Sequence, residues 1–97
     1  MKQKYMIIVL LGEGKENARS AAELAAMVGT DERSIRRAIS AARTSGALIC
    51  SGVPGYWLPG DPAELHETYK KIYSQAISTL AALQPMGEAI RKENGGE

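Results

Sequence analysis

Residues 20–44 read SAAELAAMVGTDERSIRRAISAART, and this stretch decides the fold. Ser20 with Glu23 three residues on has the form of a capping box. The serine oxygen accepts from the N–H of residue 23, and the glutamate reaches back to the serine N–H. A helix is predicted from there, with Leu24, Met27 and Val28 on its apolar face, and Gly29 ends it after little more than two turns. Thr30 is positioned to cap a second helix, 30–44, with Asp31 and Glu32 in its first turn, where carboxylates favour the positive end of the helix dipole. Ile35, Ala38, Ile39 and Ala42 recur at i, i+3, i+4, i+7 and form the core face of that helix. At about 100° per residue, Arg33, Arg37, Ser40 and Thr44 project from the opposite side, flanked by Arg36 and Arg43. Ser45-Gly46 closes it.

Upstream, Lys2 to Leu11 is an apolar run ending at Gly12-Glu-Gly14. Its centre, Ile7-Ile8-Val9, fits a strand as well as a helix on periodicity alone, and context favours a helix. Lys15 to Arg19 is a polar connector with room for a short edge strand. Downstream, Leu48-Ile-Cys-Ser51 and Tyr56-Trp-Leu58 flank Gly52-Val-Pro-Gly55 and read as a hairpin. Alternation sends Tyr56 and Leu58 inward and Trp57 to the other face, either under the final helix or into a partner surface. Cys50 reads as a half-buried strand residue. Asp61-Pro62-Ala63-Glu64 is a strong helix start, with Asp as cap and Pro at the first helical position. That helix is expected to run to about Gln84, where Pro85 stops or kinks it. The predicted organisation is a domain over 1–60, a helical extension over 61–93 and a disordered tail over 94–97. The fold class is mainly α with a small β-hairpin.

The chain has 97 residues, 44% hydrophobic and 24% charged, with a net charge of +1. These values fit one modest globular core. The charge is uneven: residues 1–60 carry eight basic and five acidic side chains, residues 61–97 four and six. Four arginines and no acid lie between Arg33 and Gly60, concentrating positive charge on one stretch. Cys50 is the single cysteine, with no partner for a disulfide or a zinc site, which fits a reducing, cytoplasmic compartment. The start of the chain has the outline of a signal peptide, but Glu13, Lys15, Glu16 and Arg19 fill the part that would be uncharged. The apolar run also falls far short of the ~18 residues of a membrane span. With one His, one Cys, no phosphate-cradling loop and no acid pair beside a pocket, no catalytic arrangement is evident. Neither a metal, a cofactor nor a small-molecule ligand is expected, and His66 reads as a solvent-facing residue.

The residues Ala22-Glu-Leu-Ala25, Val28-Gly-Thr30, Arg33-Ser-Ile-Arg-Arg-Ala-Ile39, Gly46-Ala-Leu-Ile49 and Gly55-Tyr-Trp-Leu58 together resemble winged helix-turn-helix DNA-binding domains, over roughly residues 5–60. More loosely the whole chain, with Glu16-Asn-Ala18 and the trailing helix, resembles small winged-helix proteins encoded in prophages of Firmicutes-type bacteria. The resemblance implies that 30–44 is a recognition helix and 48–58 a wing, and that the protein is a phage or prophage transcriptional regulator binding double-stranded DNA. Arg33 and Arg37 are then expected to reach base edges, Arg36 and Arg43 to hold phosphates, and Ser34 and Ser40 to bond either. Arg19, Ser20 and Thr30 would add contacts at the helix N-termini. The wing lacks Lys and Arg and is expected to be structural, while Asp31 and Glu32 would oppose phosphate unless they serve the helix end or pair with Arg36.

The final helix carries Leu65, Tyr69, Ile72, Tyr73, Ala76, Ile77, Leu80 and Leu83 on one side. At ~33 Å it is longer than so small a domain can cover. Its first turns are expected on the domain, with Ala76 to Leu83 in a two-fold dimer contact, antiparallel or coiled-coil-like. The other expectation is that it folds back over helix 2–11. Trp57 is grouped with this partner surface. The near-neutral charge and the basic-poor wing also fit a non-catalytic adaptor in a phage replication or packaging assembly.

Overall fold

The computed structural model describes residues 7–95. Residues 7–10 are helical (α1), and the rest of the predicted first helix, residues 2–6, lies outside the described part. A single 3-10 turn, Lys15–Asn17, leads to α2 (Ala21–Val28) and α3 (Glu32–Thr44). The hairpin β1 (Cys50–Gly52) and β2 (Gly55–Trp57) follows, and then α4 (Pro62–Glu93). The architecture is mainly helical with one small antiparallel hairpin.

Both halves of the Ser20 capping box form, at 3.0 Å for Glu23 N–H to Ser20 Oγ and 2.9 Å for Ser20 N–H to Glu23 Oε1. Gly29 stops α2 in the left-handed region at φ +82, which glycine occupies without steric cost. The cap of α3 is Asp31, one residue later than the predicted Thr30. Its carboxylate accepts from Ser34 N–H at 2.7 Å, whereas Thr30 donates its N–H to Ala25 O at 2.9 Å and so belongs to the closure of α2.

With both helix ends settled, Leu24 and Ala25 of α2 pack on Ile35, Ala38, Ile39 and Ala42 of α3, together with Ile7, Leu11 and Ile49. A fully buried Ile or Leu contributes about 2 kcal/mol, so this cluster is the main source of stability. Tyr56 and Leu58 pack against it from the hairpin.

The hairpin pairs Cys50 with Trp57, Ser51 with Tyr56 and Gly52 with Gly55. The predicted edge strand at 15–19 shrinks to two isolated bridges around the 3-10 turn, Glu13 to Leu58 and Arg19 to Tyr56. Gly55 makes the second possible. Its φ is +128, and a Cβ there would lie 2.3 Å from Arg19 O.

The other face of the hairpin is covered by the start of α4. Trp57 is only 3% exposed, packed under the final helix as one of its two readings has it, and is removed from the partner surface with which it was grouped. Its indole N–H donates to Glu64 Oε1 at 3.0 Å, an acceptor that lets the ring be buried without an orphaned donor. Cys50 is fully buried rather than half-buried, because α4 closes over β1, and loss of hydration pushes its thiol pKa up. Thr68, buried on the same side, accepts from Ser51 N–H at 3.3 Å.

Helix α4 does not stop near Gln84 but continues through Pro85 to Glu93. The proline ring removes one N–H, yet the site is solvent-exposed, so water can satisfy the carbonyl left over one turn earlier. Asn94 and Gly95 finish the helix in a turn, donating to Ile90 O and Lys92 O, so this part of the predicted disordered tail is ordered. Beyond Thr68 every described residue of α4 is exposed except the half-buried Gly87. The helix therefore rests on the hairpin for two turns and then leaves the domain, which explains a longest dimension of 53 Å. It does not fold back over α1. Among the described residues no helix is long and apolar enough to cross a membrane.

Gly55→Ala should lower stability by about 3 kcal/mol or more, through a disfavoured φ and a backbone collision. Gly46→Ala, at φ +108 but facing open space, should cost about 1 kcal/mol. Urea unfolding followed by Trp57 fluorescence checks both.

Candidate nucleic-acid interface

The outer face of α3 is positioned by its inner one. With Ile35, Ala38, Ile39 and Ala42 locked in the core, helical geometry turns Arg33, Arg37, Ser40 and Thr44 to solvent. Arg33 and Arg37 make no hydrogen bond or ion pair among the described residues. Ser40 is exposed and its carbonyl accepts from Thr44 Oγ1 at 3.1 Å, while Ser34 and Thr30 are half-buried beside the α2–α3 turn.

The remaining arginines are engaged. Arg36 donates to Glu32 Oε1 at 3.1 Å across one helical turn. Both side chains are well exposed, so the pair contributes about 0.3–0.5 kcal/mol and is easily exchanged for another partner. Arg43 bends towards the hairpin. Its Nε and Nη2 donate to Ile49 O at 3.0 and 2.8 Å, and Nη2 also donates to Ser51 Oγ at 3.0 Å. Burial lowers its pKa from the ordinary arginine value. This guanidinium ties the end of α3 to β1, a role unlike the phosphate contact expected of it.

The two acids also have local work. Asp31 is the helix cap, and its pKa is lowered chiefly by the Ser34 backbone hydrogen bond, then by the Ser34 side chain, with a smaller contribution from the charge of Arg37. Glu32 neutralises Arg36. Both lie beside the outward face.

At the α2 end, Ser20 Oγ is taken by Glu23 N–H. Arg19 is held by its backbone to Tyr56, its Nη1 approaches Met27 Sδ at 3.6 Å, and its Nε is buried without a hydrogen-bond partner among the described residues. At the hairpin tip Val53 is fully exposed and the turn itself carries no Lys or Arg, while Lys15 and Lys71 line a pocket with Gly52 and Val53. Lys15 lies 6.0 Å from the Trp57 ring centre.

The structure thus brings Arg33, Arg37, Arg36 and Ser40 onto one solvent face, and sets Arg43, Arg19 and Ser20 to structural bonds. The α4 residues expected at a partner interface, Tyr69, Ile72, Tyr73, Ala76, Ile77, Leu80 and Leu83, are all exposed. Sequence reasoning missed Leu48, 57% exposed, which lines a groove with Ala47, Leu65, Tyr69 and Ile72. It sits in a run read as strand, and its outward side follows only from where α4 lands.

Arg43→Met should destabilise the fold by about 1–3 kcal/mol, because the Ile49 carbonyl loses a charged donor in a half-buried place, while Arg36→Met should be near neutral. Asp31 has a depressed folded-state pKa, so its contribution is complete above the ordinary 3.8 and is lost as pH falls through the lower folded value. Asp31→Ala should therefore lower the thermal midpoint at pH 7, and the difference from the parent should shrink below about pH 4. Comparison of the chain with known protein families, curated proteins and solved structures finds no match.

Proposed function

We propose that the protein binds double-stranded DNA sequence-specifically, as a transcriptional regulator of the kind encoded by prophages in the bacterial cytoplasm, with α3 in the major groove. The observation that carries this is the pair Arg33 and Arg37, exposed and without hydrogen bond or ion pair among the described residues, on the outward face of a helix whose inner face is immobilised by the core. An α-helix ~10–12 Å across fits the ~12 Å major groove. The two residues stand one turn apart, about 6 Å along the helix axis, and each guanidinium fork matches the O6 and N7 acceptors of a guanine. Arg36 can exchange Glu32 for a phosphate at little cost. Ser40 and Thr44 continue the face.

A second reading, a protein-interaction adaptor, is favoured by a specific observation: two of the four α3 arginines are occupied within the chain and the wing tip bears no cation. DNA binding through so few cations predicts a shallow salt dependence, since each neutralised phosphate contributes a slope of about 0.9 in log K against log salt.

Selection from a random duplex library at several salt concentrations separates the two. The parent chain should enrich a defined sequence with a slope near −2 to −4, about three phosphates' worth. The double variant Arg33→Ala/Arg37→Ala should keep its fold and lose the enrichment. A double variant that enriches the same sequence would overturn the major-groove assignment, and a parent that enriches nothing would favour the adaptor.

A further inference from the structure

We infer that the exposed stripe of α4 is the seat of a second copy of this chain, packed antiparallel, with Tyr69 of each helix against Gly87 of the other. Three observations carry it.

The first is extent. From Tyr69 to Ile90 the large apolar side chains of α4 are 38% to 63% exposed. They present roughly 800 Å², what a standard interface takes from each partner and more than the usual largest patch of a monomer. The stripe is also continuous with the Leu48 groove on the domain.

The second is spacing. Residues 69, 73, 76, 80, 83, 87 and 90 alternate steps of four and three, the repeat of a supercoiled helix pair. Met86 and Ile72 widen the seam on the domain side.

The third is size and charge, and it selects the direction. In a parallel, in-register pair each layer meets itself. Gly87 faces Gly87 and Ala76 faces Ala76, leaving voids, while Tyr73 crowds Tyr73. In the antiparallel pair Tyr69 lies over Gly87 and Ala76 opposite Leu80, so large meets small in these layers, with Tyr73 opposite Leu83 between them and Ile90 opposite His66 at the ends. A Cβ at Gly87 meets nothing within the chain, so the space above it is open for the ring. The same alignment brings Lys70 beside Glu88 of the second copy and Arg91 beside Glu67 of the second copy, two pairs of opposite sign repeated by the two-fold axis. Met86 of the second copy then reaches Ile72 at the rim of the Leu48 groove. The domains are carried at opposite ends of the rod. This inference does not depend on DNA binding.

Sedimentation equilibrium of the full chain tests assembly, and Gly87→Leu tests direction. The parent should have twice its 10.4 kDa chain mass at ~10 µM, within the affinity range of standard interfaces. Leu80→Glu/Leu83→Glu should be monomeric with Trp57 emission unchanged, since both side chains are exposed in the single chain. Gly87→Leu should raise helix content and yet weaken the dimer about tenfold or more, by overpacking against Tyr69. In a parallel pair it would fill a void and tighten the dimer. Mixed Tyr73→Cys and Leu83→Cys chains should cross-link to each other in preference to like with like. A monomeric parent would overturn the proposal and leave the stripe to another protein. Tightening by Gly87→Leu, or like-with-like cross-links, would overturn the antiparallel arrangement.

Discussion

The Glu64 carboxylate is the joint on which the architecture turns. One oxygen accepts from the Trp57 indole N–H and from Gly60 N–H, and the other from Lys15 N–H at 3.3 Å. Three separate segments, the hairpin, the entry to α4 and the 3-10 turn, thereby converge on one charged acceptor. Hydrogen bonds to a charged acceptor are stronger than neutral ones, and a buried indole N–H left unpaired would cost about 1–3 kcal/mol. Glu64 is also held from its own backbone, since its N–H donates to Asp61 Oδ1 at 3.1 Å. The departure of α4 from the domain, and so the exposure of its stripe, follows from this joint.

On α3 a similar economy governs the arginines. Four cations lie within eleven residues, yet the fold divides them by angle. Arg43 faces the hairpin and replaces a missing β-ladder partner for Ile49. Arg36 faces its own first turn. Arg33 and Arg37 are held out from the chain with no hydrogen bond or ion pair among the described residues. A basic count therefore overstates the free positive charge of this face, and the acids at 31 and 32 are accounted for by the cap and by Arg36.

Much of this was legible in the linear order because it is local. The Ser20 and Glu23 box, the Gly29 stop, the i, i+3, i+4 core face of α3, the hairpin around Gly52 to Gly55 and the Asp61-Pro62 start all depend on residues within a few positions of one another. The errors mark where local rules compete. Thr30 and Asp31 are both good caps, and the choice went to Asp31 once Thr30 N–H was used by Ala25. Pro85 is a helix breaker by rule, but a breaker on an exposed face loses little, and the helix passes through it.

Local rules set the elements, their inner faces and the surplus apolar length of α4, since caps, turn residues and periodicity act within one or two turns. Packing between distant segments chose which polar and aromatic side chains were still free afterwards. Trp57 took the interior one of its two expected places, and Arg43 went from a phosphate contact to a brace, because each found an acceptor brought to it from elsewhere in the fold. Hydrogen-bond partners across such separations are set by packing, and packing is a property of the whole chain.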